Sequence, residues 1–205
     1  KKDITVGNEI TNEKFPISLK AYGDGPLQLS TDKNFQMYPL LEGFGEHISN
    51  KHQLSAIFEN PAFSCFSEIN VLPLIYDEKK QRCNILVFDA ERARNETAYI
   101  KKATEGAGRK HPAYRFFDKN DCYICEVRYG NATANALQRG LWTNTKNATP
   151  FFDSVTNGWV DYSHNLVLVK LFSHALVSSA KGHEIALEEI KSDIARLKQA
   201  NGINA

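Results

Sequence analysis

The 205-residue sequence lacks every feature that would place it in a membrane, in a fibre or among disordered chains. No apolar run approaches the roughly 20 residues that a transmembrane helix needs. No signal peptide, internal repeat or low-complexity tract is visible. With 42% hydrophobic and 24% charged residues, the composition is that of an ordinary globular protein. We therefore predict a single domain over residues 1–205, with a proper core and no membrane partner.

An excess of charge of either sign is also missing. The chain has 25 basic and 24 acidic residues, which gives a formal net charge of +1. The electrostatic field of the whole molecule therefore favours no particular partner, and a nucleic-acid surface would have to be a local patch.

Cysteines are few, and their spacing does not indicate a metal site. They are Cys65, Cys83, Cys122 and Cys125. Cys122 and Cys125 lie three residues apart on a predicted strand, so they point to opposite faces and are poorly placed to share zinc. We favour reduced structural cysteines and a cytoplasmic protein. The sequons at Asn95, Asn131 and Asn147 leave a secreted, disulfide-bonded and glycosylated binding module as an alternative.

An initiating methionine is absent as well, because the chain begins with Lys1 and Lys2. We expect that the chain was trimmed or that it is the downstream part of a longer protein.

Strand signals dominate the first two thirds of the chain. Short apolar or alternating runs between polar turns predict strands at residues 3–7, 15–22, 69–76, 83–89 and 122–129. The segment "GDGPLQLSTD", residues 23–32, contains the turn formers glycine, proline and aspartate, and is predicted to be a loop.

Helices are predicted in four segments. They are residues 35–50 with Asp32 as the cap, the first part of 91–115, residues 132–143, and the amphipathic stretch 182–201. The last of these is a possible dimer seam. Together the segments predict an α/β (α+β) protein with a central mixed β-sheet flanked by helices.

The first hairpin carries polar side chains that suggest chemistry. On a strand Ser18 and Lys20 share one face, while Ile17 and Leu19 take the other. Hairpin pairing is expected to bring Asp3 or its neighbours alongside that polar face, and a half-buried lysine is costly to desolvate without a role. A carboxylate that binds Mg²⁺ and a lysine that positions the attacking water are the parts of a phosphodiester nuclease. The alternative is an edge ribbon whose lysine reaches out to water.

The spacing Asp3-x(14)-Ser18-x-Lys20 resembles the PD-(D/E)-x-K signature of type II restriction endonucleases, and "ISLKAYGDGPLQLSTD" is similar to the strand and loop that follow it in some members. Two positions depart from the signature: Lys2 replaces proline, and Ser18 replaces the middle acid. The resemblance covers about the first 30 residues. The helix and strand that precede this hairpin in the family have no counterpart here.

The resemblance implies a restriction-endonuclease-like fold, a Mg²⁺ cofactor, double-stranded DNA as partner, and a homodimer. Asp3 would hold the metal, Lys20 would orient the water, and Ser18 would sit at the metal shell. Gln28 would contact substrate or the water network. The acid missing at position 18 would come from elsewhere, with Glu42 and Glu46 as candidates.

A second constellation could carry the same chemistry. Glu126 and Arg128 are two apart on one strand, and Asp89 closes an upstream strand. The predicted order of elements around them, α-β-β-β-α, is that of the same nuclease core. Arginine is permanently charged, however, and suits gripping a phosphate better than assisting a water.

Residues for DNA binding are predicted in two segments. Residues 91–117 form a basic insertion in which Arg109, Lys110 and Arg115 would hold phosphates, with the aromatic residues Tyr114, Phe116 and Phe117 beside them. The segment "YGNATANALQRGLWT" is similar to a stretch downstream of the catalytic part of restriction enzymes. Its candidates for base recognition, with the arginine before it, are Arg128, Asn135, Gln138 and Arg139. The alternative is an exposed helix face.

The sequence thus predicts a Mg²⁺-dependent, sequence-specific double-strand DNA endonuclease of the restriction type. The alternatives are a non-catalytic DNA-binding protein and the secreted binding module. The first of these predicts duplex affinity that falls steeply with salt and no metal-dependent product.

Overall fold

The computed structural model has a mixed α+β architecture with two six-stranded sheets in its described part. The residues it describes are 4–7, 10–68, 70–77, 79–104, 112–129, 139–165, 169, 188, 191–193, 195–196 and 198–200. The chain forms two compact units. Unit 1 comprises residues 1–20, 24–73 and 86–153, and unit 2 comprises residues 21–23, 74–85 and 154–205. Two sheets thus stand where the sequence predicted one central sheet.

Strands outnumber helices among the described elements. The strands are β1 (Ile4–Gly7), β2 (Lys14–Gly23), β3 (Pro26–Thr31), β4 (His47–Ile48), β5 (Asn70–Asp77), β6 (Arg82–Asp89), β7 (Tyr99–Ala103), β8 (Ala113–Phe117), β9 (Tyr123–Arg128), β10 (Gly140–Asn144), β11 (Phe152–Ser154) and β12 (Val160–Asp161). The helices are α1 (Met37–Phe44), α2 (Lys51–Glu59), α3 (Cys65–Glu68) and α4 (Ala90–Glu96). No helix in the described part of the chain is long and apolar enough to span a membrane.

The first sheet has the order β1-β2-β5-β6-β11, and β12 pairs with β6. The predicted hairpin is confirmed: β1 and β2 are antiparallel, with Ile4 opposite Ile17 and Gly7 opposite Lys14. The predicted strands around the charged turn are confirmed as β5 and β6.

The second sheet lies in unit 1 and has the order β3-β10-β9-β8-β7-β4. Its registered pairs are antiparallel. One face packs against the helices, where the Phe116 ring lies 5.9 to 6.3 Å from the rings of Phe58, Phe63 and Phe66. This aromatic cluster fixes one face of the sheet in the core of unit 1, because large rings dominate buried contacts.

The helices of unit 1 begin at identifiable side-chain caps. As predicted, Asp32 caps α1, since its carboxylate accepts the backbone N–H of Gln36 at 3.0 Å and of Met37 at 2.8 Å. The side chain of Asn50 accepts the N–H of His52 at 2.8 Å at the start of α2. Such caps satisfy donors that the helix leaves unpaired.

Two predicted loop or helix segments near the N-terminal end are wrong in part. Residues 23–32 contain the strand β3, which pairs with β10 and buries Leu27 and Leu29. The helix predicted over 35–50 ends at Phe44. Gly45 follows with a φ of 106°, which ends the helix, and β4 comes next.

Two predictions further along are also corrected. The helix predicted to reach residue 143 is wrong at its end, since Gly140–Asn144 is strand β10. Within the predicted excursion over 91–115, the described residues contain the short helix α4, strand β7 and most of strand β8, and residues 105–111 lie outside the described part of the chain. In both places pairing between distant strands overrides local helix propensity.

Unit 2 has a small core of its own. Tyr76 and Tyr162 are buried there against Leu74, Cys83 and Val169. The predicted C-terminal helix at 182–201 lies largely outside the described residues. Those described within it are helical: 188, 191–193, 195–196 and 198–200.

Arg82 joins two strand ends of unit 2 at its surface. Its guanidinium lies 3.4 Å from the Asp77 carboxylate and 4.4 Å from the centre of the Trp159 ring. This partly exposed arginine is thus held between an acid and a tryptophan.

Candidate nucleic-acid interface and the predicted catalytic residues

On β2 the polar side chains Ser18 and Lys20 are more buried than the leucine between them. Ser18 is only 9% exposed and Lys20 is half-buried, whereas Leu19 between them is 44% exposed. A strand normally turns its leucine inward and its lysine outward, so this pattern is inverted. Asp3 lies outside the described residues, one residue before Ile4 in the chain.

The acids predicted to compensate for Ser18 make a different contact. Glu42 on α1 and Glu46 just after it lie 3.4 Å and 3.7 Å from the ammonium nitrogen of Lys102. No group of three or more histidine, cysteine, aspartate or glutamate side chains suited to a metal ion occurs among the described residues.

The second predicted constellation contains two acids with established partners. The Asp89 carboxylate accepts the backbone N–H of Arg92 at 3.0 Å and thereby caps α4. Glu126 is 2% exposed and lies between two guanidinium groups. Arg128 Nε donates to Glu126 Oε1 at 2.8 Å, and Arg115 Nε lies 3.6 Å from Oε2.

The sheet explains why these three side chains meet. Arg115 on β8 is directly opposite Glu126 on β9, and Arg128 follows two residues later on the same face. The carboxylate loses its hydration when it is buried, and a charge-assisted hydrogen bond from Arg128 and an ion pair with Arg115 offset that loss. One buried negative charge thus fixes two positive groups that are each about a quarter to a third exposed.

Trp142 extends the same row of side chains. It is opposite Glu126 on β10, and the Arg128 guanidinium lies 3.9 Å from the centre of its ring. Its indole Nε1–H is buried and has no acceptor among the described residues. Arg128 is therefore held by a carboxylate on one side and an aromatic ring on the other.

At the other end of the row, Lys101 on β7 is directly opposite Arg115. Lys101 is exposed and has no ion-pair partner in the described part of the chain. Like charges directly opposite each other on neighbouring strands are destabilising. This row of side chains has a formal charge of +2, because it contains three cations, Lys101, Arg115 and Arg128, and one acid, Glu126.

Three aromatic rings lie beside these charges. The rings of Tyr99 and Phe117 are stacked, with centroids 5.0 Å apart and planes at 13°. Phe117 and Tyr123 meet edge to face at 6.3 Å and 78°. The Tyr99 hydroxyl donates to Asp121 at 3.0 Å. The rings are partly exposed, so part of their surface is accessible to a ligand.

A β-bulge in β9 places Tyr123 on this face. Phe116 pairs with Cys125, but Phe117 pairs with Tyr123, so that Ile124 is one extra residue in β9. Ile124 and Cys125 are both buried. Strict alternation would have put Tyr123 on the face of Cys125, and the bulge reverses it.

Two adjoining concave sites are open on this face. The arginine cleft has a volume of about 210 Å³ and is lined by Pro26, Arg115, Phe117, Tyr123, Glu126, Arg128, Asn144 and Asn147. The lysine groove has a volume of about 320 Å³ and is lined by Lys101, Lys102, Ala103, Thr104, Arg115 and Phe117. They share Arg115 and Phe117, so that a ligand can reach from one into the other.

Asn144 contributes an oriented amide to the rim of the arginine cleft. Its Oδ1 accepts the backbone N–H of Lys146 at 3.0 Å and of Asn147 at 3.3 Å. Its amide nitrogen has no partner among the described residues, and it is available to a ligand as a donor.

The remaining predicted DNA-binding residues fall into two groups. Gln28 and Arg139 are buried and interact with the backbone: Gln28 Nε2 donates to the Arg139 carbonyl at 3.2 Å, and Arg139 donates to the Lys33 carbonyl at 3.1 Å. The others lie outside the described residues. They are Arg109, Lys110, Asn135 and Gln138.

The aromatic prediction for the basic segment needs correction. Tyr114 and Phe116 are fully buried, and only Phe117 lies on the open face. Sequence reasoning missed Tyr99 and Tyr123 altogether. The alternation Tyr99-x-Lys101 and Arg115-x-Phe117 contains the signal for the first of them, if the segment is treated as strand rather than helix.

Burial perturbs several groups of the core of unit 1. Desolvation raises the pKa of Tyr38 to about 12 and also raises the pKa of Tyr114, whose hydroxyl donates to the Gly45 carbonyl at 3.0 Å. Desolvation raises the pKa of the Cys125 thiol well above its usual value. All four cysteines are free thiols.

No family model, curated protein or solved structure matches this chain. Its function must therefore be inferred from the residues themselves.

Proposed function

We propose that the protein is a Mg²⁺-dependent endonuclease that cleaves double-stranded DNA at specific sequences, with a restriction-endonuclease-like catalytic hairpin. Asp3 would bind the metal, which polarises the scissile phosphate and activates a water. Lys20 would orient that water, and Ser18 would contribute to the metal shell. Gln28, on the next strand along the chain (β3), would contact the substrate or the water network.

One observation carries this proposal. On β2 the polar residues Ser18 and Lys20 are more buried than Leu19 between them, which is 44% exposed. The cost of partly desolvating a lysine while leaving a leucine in water is explained if the polar face has a chemical role. The hairpin that carries these residues is antiparallel, with Ile17 opposite Ile4.

The basic face of the second sheet supports DNA as the substrate. Arg115 and Arg128 are fixed by the buried Glu126, and Lys101 stands unpaired, in the described structure, beside Arg115. Fixed arginines suit phosphates and base edges because their donors are already oriented.

The test is cleavage of mixed-sequence, unmethylated duplex DNA with and without Mg²⁺. Discrete fragments that require Mg²⁺ are expected from the intact protein, and Lys20→Ala should lose them. Lys14→Ala is the matched control, since Lys14 is an exposed lysine on the same strand. Loss of cleavage in Arg128→Ala alone would move the active site to β9, and no cleavage by the intact protein would contradict the proposal.

A non-catalytic DNA-binding protein is the second candidate, because the basic face does not depend on the hairpin. It predicts duplex binding that weakens steeply with salt, with unchanged DNA after incubation with Mg²⁺. The same incubation followed by electrophoresis separates the two candidates.

A further inference from the structure

We propose that the open face of the second sheet binds an unpaired nucleotide of DNA, with its base in the arginine cleft and the adjoining phosphates in the lysine groove. The inference deepens the proposed function and rests on it in taking DNA as the ligand. It concerns binding, however, and can stand or fall apart from cleavage.

The walls of the arginine cleft suit a planar base. Phe117 and Tyr123 form an aromatic wall in which the two rings meet at 78°, so one ring presents its face where the other presents its edge. Every nucleobase has a face that stacks on such a ring. In a paired duplex that face is covered by its neighbours, so the ligand must be unpaired or displaced from the stack.

The opposite wall and the floor are charged and fixed. The Arg115 and Arg128 guanidinium groups are held by Glu126, which lies at the floor and is nearly inaccessible. Planar guanidinium groups stack on bases and bind phosphate oxygens. At the rim, the amide nitrogen of Asn144, which has no partner among the described residues, is a donor for an acceptor on the base edge.

The lysine groove provides the path for the chain of the ligand. It continues from the cleft through Arg115 and Phe117 to Lys101 and Lys102. Lys102 is paired with Glu42 and Glu46, but Lys101 has no acid partner in the described residues. The cost of placing Lys101 opposite Arg115 is relieved by a phosphate between them.

The ligand class follows from the combination. A free anion would need the cations but not the rings, and an apolar ligand would need the rings but not the cations. A nucleotide with an exposed base uses both, which is how proteins bind single strands. Single-stranded DNA and a nucleotide extruded from a duplex share this chemistry.

The experiment measures the binding of a fluorescein-labelled oligothymidine by anisotropy across a series of salt concentrations. Phe117→Leu and Tyr123→Leu keep apolar bulk and remove the stacking ring, and each should weaken binding by about tenfold, from the typical contribution of one base–aromatic stack. Trp159→Leu is the matched control, because it removes an exposed aromatic residue with an arginine over its ring in unit 2. It should leave the affinity unchanged.

A second variant tests the groove without touching the packed residues. Lys101→Gln removes one exposed charge and should reduce the slope of log K against log salt by about 0.7, the value for one phosphate contact on a single strand. Lys146→Gln, an exposed lysine of unit 1 paired with Asp24, is its control and should leave the slope unchanged. Thermal unfolding of each variant verifies that it is folded.

Two further DNA ligands distinguish the source of the nucleotide. They are a fully paired duplex and the same duplex with one unpaired thymidine. An effect of Phe117→Leu on the oligothymidine supports a single strand as ligand, and an effect only on the interrupted duplex supports an extruded nucleotide. If neither ring variant changes the affinity for either ligand, the inference is wrong. If the protein cleaves duplex DNA but binds neither the oligothymidine nor the interrupted duplex, the inference is wrong and the nuclease proposal stands. If it binds these ligands but cleaves no DNA, the nuclease proposal is wrong and the inference stands.

Discussion

Replacement of Arg128 by methionine is expected to destabilise the protein more than replacement of its partner Glu126 by glutamine. The methionine leaves a carboxylate that is 2% exposed without its 2.8 Å hydrogen bond. Loss of one partner of a buried charged pair costs about 3 kcal/mol. Glu126→Gln instead leaves two arginines that are 25% and 32% exposed and can be hydrated, at a cost of about 1–2 kcal/mol.

The double variant Glu126→Gln/Arg128→Met isolates the interaction between the two residues. In the double variant position 126 has no carboxylate to leave unpaired. Its loss of unfolding free energy should therefore be close to that of Arg128→Met alone or smaller, with a coupling energy of about 2 kcal/mol. The contact of Arg128 with the Trp142 ring is lost in both Arg128 variants, and therefore cancels in the cycle.

The assay is urea unfolding followed by tryptophan fluorescence. The chain has two tryptophans, Trp142 in unit 1 and Trp159 in unit 2. A Trp159→Phe background makes the signal specific for the unit that contains the site. In thermal unfolding of a chain of this size, a loss of about 3 kcal/mol corresponds to a midpoint lower by about 6–12 °C.

Arg82→Met provides the matched control, and it is measured with Trp159 retained because Arg82 lies over that ring in unit 2. Arg82 also lies over a tryptophan and beside an acid, but Asp77 is 26% exposed and can be hydrated. The expected loss is only about 1 kcal/mol. Equal losses for Arg82→Met and Arg128→Met, or strictly additive losses in the double variant, would refute the reasoning from a buried carboxylate.

Three further perturbations test the fold. Gly140→Ala should destabilise the protein by about 2–4 kcal/mol in urea unfolding. The φ of Gly140 is 110°, and a Cβ there would lie 2.6 Å from the backbone nitrogen of Asp32 and closer still to a neighbouring carbonyl. Gly25→Ala should cost less, because Gly25 has a φ of 133° but open space around it. Asp32→Ala should cost about 1–2 kcal/mol by removing the cap of α1, and an unchanged midpoint would count against that role. The pKa of Tyr38 is raised to about 12 in the folded state, so the folded protein keeps that proton when the unfolded chain loses it near 10.0. The contribution of the protonated Tyr38 to the free energy of unfolding is complete below pH 10 and is lost as the pH rises towards 12. Tyr38→Phe should therefore reduce the loss of stability that is measured between pH 9 and 12.

The local patterns predicted the elements whose signals lie within one short segment. The β1–β2 hairpin, β5, β6 and most of β9 are apolar or alternating runs between polar turns, and they formed as strands. The cap at Asp32 is equally local, since it depends on a side chain and two nearby N–H groups. These features need no knowledge of the rest of the chain.

The elements that were missed depend on distant pairing. Leu27 and Leu29 stand among glycine, proline and aspartate, and only the pairing with β10 shows that they belong to a strand. In the sequence alone, a helix face is one interpretation of the adjacent pair Lys101 and Lys102. In β7 the two point to opposite sides, and only Lys101 lies opposite Arg115. Tertiary contacts override propensity at such places.

The candidate site was predictable to the same extent. Glu126 and Arg128 are two residues apart, which predicted that they share one face of a strand, and in the structure they are in contact. Nothing in the sequence indicated that Arg115 would complete the group, because the pairing of β8 with β9 joins residues separated by the loop that follows Phe117. The face of β9 on which Tyr123 lies could not be predicted, because a bulge has no reliable sequence signal.

The extra residue of β9 can be lost without loss of the aromatic wall. Without the single codon for Ile124, pairing with β8 would become regular and Tyr123 would stay opposite Phe117, because it would then directly precede a residue whose side chain points to the other side. The part of β9 that carries Glu126 and Arg128 would keep its pairing with β8. A one-codon deletion therefore leaves both the aromatic wall and the pair of arginines in place, and the binding face does not depend on the length of the strand at this point.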